Sequence, residues 1–122
     1  MTAQELATRS QEWLHDAKLL HDAGRFESAI YLCGYAVEFA LKARMCRHLN
    51  WQSYRDDLPG MRSHVLINLL SFTGLDRVNF DSDWNEVSDW TPEIRYGGSK
   101  GITSSKSSRI ISAVEALLKE IL

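Results

Sequence analysis

Four polar side chains recur along a stretch that is otherwise apolar. The segment "GRFESAIYLCGYAVEFALKARMCRH", residues 24–48, contains Tyr31, Tyr35, Glu38 and Lys42. On an α-helix, positions i, i+4, i+7 and i+11 share one narrow face. The stripe predicts either a groove that binds a ligand or partner, or a satisfied i, i+4 pair between Glu38 and Lys42 with the tyrosine hydroxyls at its rim.

A second polar region, "RYGGSKGITSS", covers residues 95–105. Its glycines permit unusual backbone angles, and Ser104 lies where a helix would present free N–H groups. Lys100 and Lys106 add positive charge. The region predicts either a phosphate-binding loop or a flexible surface loop. It is not a Walker loop, because the GxxxxGK[ST] spacing is absent.

A His-Asp pair occurs twice in "HDAKLLHD", at residues 15–16 and 21–22. Metal phosphohydrolases use such a pair together with further, distant ligands. No matching set of His and Asp is evident in the sequence, and the two histidines do not share a helix face. We therefore expect no metal site and no cofactor.

Length and charge limit the remaining classes of function. A chain of 122 residues fits one domain, residues 1–122. The formal net charge of -2 argues against coating of nucleic acid through a general basic field. Cys33 and Cys46 lie in one predicted helix and are expected to be reduced thiols of a cytoplasmic protein. No apolar run approaches the roughly 20 residues of a membrane span, and the first ten residues lack signal-peptide character.

Capping residues define two long helices in the N-terminal half. Thr2 and Glu5 have the spacing of a capping box, which predicts a first helix from about residue 3. Gly24 suits the end of that helix. The second helix, which carries the polar stripe, is predicted from about residue 25 to residue 49. Because it is apolar around most of its circumference, we expect it to be buried on most sides.

The C-terminal half is predicted to contain shorter helices and one amphipathic helix. Residues 50–63 form a polar connection in which Trp51 and Tyr54 are candidates for a partner contact. Ser63 suits the N-cap of a third helix, "HVLINLLSF", and a short fourth helix should end before Pro92. A last amphipathic helix is predicted from about residue 104. No strand pattern appears, so the sequence predicts an all-α, up-and-down bundle of four to five helices.

The sequence resembles the HEPN domain family in three segments. The segment "GRFESAIYLCGYAVEFALKAR" resembles the sequence pattern of the family's second helix. In that pattern a small residue and an aromatic residue follow the first helix, and Ala, Tyr, Gly-Tyr, Val-Glu and Leu-Lys-Ala come next. "SHVLINLL" and "WTPEIRY" resemble two later segments of the family. The resemblance covers nearly the whole chain. It implies a helical bundle that forms a homodimer, with a minimal nucleotidyltransferase-type partner in a toxin–antitoxin or defence module.

Active HEPN proteins are metal-independent endoribonucleases. Their catalytic motif lies in a late helix and consists of an Arg, four to six further residues and a His. The resemblance implies 2′-OH attack on the adjacent phosphate, with His in proton transfer and Arg stabilising charge. Here no His follows His64. Arg9 and His15 have the spacing but lie in the first helix, on different expected faces, and Arg44 is too close to His48. The resemblance therefore leaves two hypotheses. The protein is either a binding component without a correctly placed catalytic pair, or a ribonuclease toxin that uses an Arg–His pair at another position.

The resemblance also implies a binding site at the family's other polar positions. These positions are predicted to meet in one cleft between the second helix, the start of the third helix and the last loop. The alternative is that Arg95 bridges Glu38 or a helix end and only holds the loop in place. Three functions follow: a dimeric nucleotide-, RNA- or partner-binding component, an endoribonuclease, or a purely structural interaction domain. The predicted ligand-binding residues are Tyr31, Tyr35, Glu38, Lys42, His64, Arg95 and Tyr96.

Overall fold

A computed structural model describes residues 1–93 and 101–122, and these residues form five α-helices and one 3-10 helix. No β-strand occurs within them, so the predicted all-α helical bundle is confirmed. None of these helices is both long enough and apolar enough to cross a membrane. The helices are α1 (Ala3–Asp22), α2 (Phe26–His48), α3 (Leu66–Leu70), the 3-10 helix (Arg77–Phe80), α4 (Asp81–Val87) and α5 (Ser104–Ile121).

Helix α2 is the centre of the bundle because it is apolar on almost every side. Thirteen of its 23 residues are buried, and it contacts α1, α3 and α5. Small side chains allow α1 to approach closely, and the hydroxyl of Ser10 donates a 2.6 Å hydrogen bond to the Ala36 carbonyl. Helix α5 packs against both α1 and α2, and its apolar stripe is buried as predicted. That stripe consists of Ile110, Ile111, Val114, Leu117, Leu118 and Ile121.

The turn between α1 and α2 follows from one glycine. Gly24 has a φ of +77°, which most side chains disfavour, and it lies just beyond the C-cap residue Ala23. Its N–H donates to the His21 carbonyl at 3.0 Å, and the Arg25 N–H donates to the Leu20 carbonyl at 2.8 Å. This is the hydrogen-bond pattern of a Schellman motif. It ends α1 abruptly and allows α2 to pack back along it.

The two predicted N-caps have different outcomes. Thr2 and Glu5 form the predicted capping box, because each side chain accepts the backbone N–H of the other residue. These hydrogen bonds lower the pKa of Glu5. The prediction for Ser63 is wrong: α3 begins only at Leu66, with no side-chain cap. Ser63 instead lies 2.9 Å from the hydroxyl of Tyr54, so its side chain joins two parts of the connection.

Both cysteines are buried and free, without a disulfide. Cys33 is 0% exposed, and desolvation raises the pKa of its thiol to about 12. Burial also raises the pKa of Cys46. Because the thiolate is the reactive form, these residues act as small apolar side chains of the core.

Trp90 packs directly on the backbone of α2 at Gly34. Its indole occupies the space that a Cβ at position 34 would need. Trp90 is 2% exposed, and its ring lies 4.9 Å from that of Tyr35 in an edge-to-face arrangement. The absence of a side chain at Gly34 therefore allows the segment after α4 to close over α2.

We expect Gly34→Ala to destabilise the fold, although alanine is favoured over glycine within a helix by about 1 kcal/mol. The new methyl group must displace Trp90, and overpacking of this kind costs about 1–3 kcal/mol. The free energy of unfolding in urea measures the effect. Ser28→Ala, on an exposed position of the same helix, is the matched control and should be neutral or slightly stabilising. Equal stabilisation by both substitutions would contradict the packing of Trp90 on Gly34.

Candidate functional site

The polar stripe of α2 contains a buried carboxylate with two partners. Glu38 is 1% exposed. Its Oε2 accepts a hydrogen bond from Lys42 Nζ at 3.0 Å, one helical turn later. Its Oε1 lies 3.1 Å from Nδ1 of His64. A carboxylate buried without partners would cost several kcal/mol, so these two contacts are what allow Glu38 to remain in the core.

Lys42 is held between aromatic rings as well as by Glu38. Its Nζ lies 4.9 Å from the ring centre of Tyr54 and 5.7 Å from that of Phe39. Only 11% of its side chain is exposed. Both rings lie within the distance at which an ammonium group is attracted to an aromatic face. Lys42 is therefore a structural partner of Glu38 and offers little surface to a ligand.

His64 is the exposed member of the cluster. Because an ionised carboxylate only accepts hydrogen bonds, Nδ1 carries the proton that is shared with Glu38. The side chain is nevertheless 62% exposed. Its Nε2 is thus the nitrogen that remains for a ligand, as an acceptor in the neutral ring and as a donor in the protonated one.

The connection between α2 and α3 brings His64 to Glu38. Asn50 takes a φ of +57° after α2 and reverses the chain. Farther along, the side chain of Asn68 donates to the Gly60 carbonyl at 2.9 Å and accepts the Arg62 N–H at 2.6 Å. The Asn68 contacts anchor the C-terminal end of the loop, and a hydrogen bond of 2.8 Å from the Trp51 N–H to the Cys46 carbonyl holds its N-terminal end on α2.

Tyr54 is the central residue of this connection. Its backbone N–H donates to the Met1 carbonyl at 2.7 Å, and its hydroxyl lies 2.9 Å from Oγ of Ser63. Burial raises the pKa of Tyr54, whereas the contact with Ser63 acts in the opposite direction. No helical spacing links Tyr54 to Lys42, so its position over Lys42 has no sequence signal beyond an aromatic residue in a polar loop.

Further aromatic and cationic side chains continue outward from Tyr54. The Trp51 ring centre lies 6.4 Å from that of Tyr54, and the Arg55 guanidinium lies 5.6 Å from the Trp51 ring centre. Arg62 and His64 are exposed next to Ser63. The contact between Ser63 and Tyr54 joins these residues into one side of the connection, beside the buried carboxylate. We call it the aromatic–cation surface: Trp51, Tyr54, Arg55, Arg62 and His64.

The two tyrosines of the stripe lie apart from the charged cluster. Tyr35 packs between Trp90 and Trp13, whose ring centre is 5.6 Å away. Burial, followed by the charge of Glu38, raises its pKa. Tyr31 is partly exposed one turn earlier. The structure thus brings together Glu38, Lys42 and His64, whereas Tyr35 belongs to an aromatic cluster; a ligand-binding role for these residues stays a prediction.

The predicted phosphate-binding region spans the last loop and the start of α5. The predicted contacts of Arg95, Tyr96 and Lys100 lie outside the described residues. At the start of α5, Thr103 accepts the Lys106 N–H at 3.1 Å and caps the helix, and Ser104 is exposed. A phosphate-binding role for this region stays a prediction.

Arg9 and His15 border the same shallow recess on the outer face of α1, with a volume of about 490 Å³. Their spacing of six residues still places them on different rows of α1, and the recess is broad enough to border both rows of side chains. The Arg9 guanidinium lies 4.0 Å from the Trp13 ring centre and 3.6 Å from Glu12. Arg9 is thus held by its own helix.

The other histidines of the predicted pairs have packing roles. The ring of His48 lies against Gly74, where a Cβ would clash with it. Arg44 is partly buried one turn before His48. His21 contacts the buried Ser107 at 2.9 Å and joins α1 to α5. Among the residues that the structure describes, no three His, Cys, Asp or Glu side chains are placed to hold a metal ion.

Comparison with known families gives one match, which extends over almost the entire chain. The family described as HEPN domain matches residues 3–122. No curated protein and no solved structure matches the chain.

We expect Lys42→Met to lower the free energy of unfolding by about 3–5 kcal/mol, because it removes one partner of a buried carboxylate. Replacing both members, as in Glu38→Leu with Lys42→Met, should recover most of the loss. Lys18→Met is the control, since Lys18 and Glu115 form an exposed pair worth less than about 1 kcal/mol. Urea denaturation of the four proteins measures this, and equally small losses in both single variants would contradict it.

Proposed function

Because this chain belongs to the HEPN domain family, we propose that it is the dimeric binding component of a toxin–antitoxin-like or defence module and binds a nucleotide or single-stranded RNA. Membership in the family supports a role related to nucleotides or RNA, or of toxin–antitoxin type. A nucleotidyltransferase-type protein is the proposed partner. We place the module in the cytoplasm, since the two free thiols suit a reducing compartment.

The observation that carries this proposal is the position of His64. One ring nitrogen is bound to Glu38, yet 62% of the side chain remains exposed. The imidazole is thereby exposed to solvent, and the preceding residue, Ser63, contacts the hydroxyl of Tyr54. Proteins bind single-stranded RNA by stacking bases on aromatic side chains and by contacting phosphates with cationic groups. The aromatic–cation surface offers both kinds of contact.

The charges of this surface indicate a small ligand. Lys42 is paired with Glu38, and Arg55 forms two hydrogen bonds of 3.1 and 3.2 Å with Asp57. Arg62 and His64 are therefore the groups that the surface offers to phosphates. Duplex RNA binders make many phosphate contacts, whereas one or two suit a nucleotide or a short single strand.

The same arrangement explains why we propose binding rather than catalysis. Cleavage by the family's chemistry needs an Arg and a His directed at one phosphate. Arg62 precedes His64 by only two residues, which is not the family's spacing, and the only Arg–His pair with that spacing lies on α1. The loop around His64 is organised as a fixed surface by its contacts with α2.

A second candidate function is a metal-independent endoribonuclease that uses Arg9 and His15. The observation that favours it is their common recess on α1, which Thr8 and Gln11 also border. Against it stands the Arg9 guanidinium, which is already stacked on Trp13 and paired with Glu12. A purely structural interaction domain would show neither ligand binding nor cleavage.

We expect the purified protein to bind a short fluorescein-labelled single-stranded RNA, measured by fluorescence anisotropy. His64→Ala and Arg62→Ala should each weaken binding about tenfold, because each removes a contact worth about 1–3 kcal/mol. His48→Ala is the control, since that ring packs on Gly74, and it should bind like wild type. The logarithm of the association constant should fall with the logarithm of the salt concentration with a slope of about −1, as for one or two phosphate contacts. Wild-type affinity in His64→Ala would reject the site.

RNA incubated with the protein in EDTA should remain intact, because the only Arg–His pair with the family's spacing lies on α1 and is not part of the aromatic–cation surface. Gel electrophoresis of the RNA measures this. Cleavage that is lost in His15→Ala and Arg9→Ala but retained in His64→Ala would establish the second candidate function instead. Cleavage lost in His64→Ala alone would make the aromatic–cation surface an active site and contradict a binding-only role.

A further inference from the structure

Two large apolar side chains remain in solvent in the segment that runs from α3 to the 3-10 helix. Ile67 of α3 is 47% exposed, and Val78 of the 3-10 helix is 71% exposed. Between α3 and the 3-10 helix lies a groove of about 480 Å³. We call it the α3 groove; its lining includes Ile67, Leu70, Leu75, Asp76 and Arg77. Exposed apolar surface of this kind is unfavourable in water and marks interaction sites.

The rim of the α3 groove carries charges of both signs. Arg77 lies 3.5 Å from Asp81, and their side chains are 54% and 51% exposed. The Asp76 carboxylate accepts the Val78 N–H at 3.1 Å, so its position is fixed. A partner whose charges are all of one sign would meet repulsion from one part of this rim. A second copy of the same rim does not have that difficulty, because a two-fold axis can place each cation opposite a carboxylate.

We propose that the α3 groove is the contact face of a homodimer and that its occupant is the same groove of a second copy. The inference rests on the dimer in the proposed function and names its surface. Ile67 and Val78 of both copies then leave water at the centre. Arg77 of each copy meets Asp81 or Asp76 of the other at the polar rim, as in interfaces with an apolar core.

The location of this face connects the dimer to the binding surface. Only Val65 separates His64 from the start of α3. A second copy that covers α3 therefore steadies the end of the loop that places His64 on Glu38. Dimer formation and ligand affinity should consequently rise together.

Light scattering coupled to size-exclusion chromatography tests the proposal on the full chain over the micromolar range. We expect a wild-type dimer and an increase of about tenfold or more in the dimer dissociation constant for Ile67→Asp and, separately, Val78→Asp. Leu19→Asp is the matched control, because Leu19 is a 56% exposed apolar residue on α1, and it should stay dimeric. Circular dichroism checks that each variant is folded.

A charge exchange tests the rim independently. Arg77→Asp should weaken the dimer, and the combined variant Arg77→Asp with Asp81→Arg should restore it. If Ile67→Asp and Val78→Asp form dimers as stable as those of Leu19→Asp, the α3 groove is not the contact face and the dimer forms through another surface. A monomeric wild type would overturn both the groove and the dimeric part of the proposed function. RNA anisotropy on the same samples decides the binding part separately.

Discussion

The burial of one ionised side chain in the central helix determines much of this structure. Glu38 lies where α2 is surrounded by other elements, at 1% exposure, and a carboxylate there requires hydrogen-bond donors. Lys42 supplies one donor from the same helix. The second comes from His64, which is 26 residues away in sequence. The connection between α2 and α3 must therefore return to α2, and this return creates the aromatic–cation surface.

The polar stripe is divided between two environments. Its N-terminal part packs against aromatic rings, because Tyr35 lies between Trp13 and Trp90. Trp90 in turn packs on the backbone at Gly34. Its C-terminal part holds the charges and is covered by the loop. One helix face thus performs two tasks: it anchors the segment after α4 by shape, and it anchors the loop by charge. The first contact depends on a missing side chain and the second on a buried ion.

Local chemistry was sufficient to predict most of the helices. The capping box at Thr2, the turn at Gly24 and the apolar period of α5 are short-range signals, and each predicted a helix end or face correctly. Ser63 shows the limit of such short-range signals. A serine hydroxyl can cap a helix or bind a tyrosine hydroxyl, and the tertiary structure determines which of these contacts forms. The family resemblance predicted that His64 lies in one cleft with Glu38 and Lys42, but it named Arg95, and not His64, as the partner of Glu38. The place of Tyr54 over Lys42 has no local period and was not predicted.

The contacts of the loop with the rest of the protein lie near its two ends, at Trp51 and Tyr54 and again from Gly60 to His64. Between them, residues 55–57 are exposed. Loop segments that make few tertiary contacts tolerate changes in length and sequence at little cost in stability. Related proteins can therefore diverge in what they recognise by altering this short middle segment. The buried ion pair and the packing of α2 do not depend on this segment, so the fold separates the part that stability requires from a part that can vary.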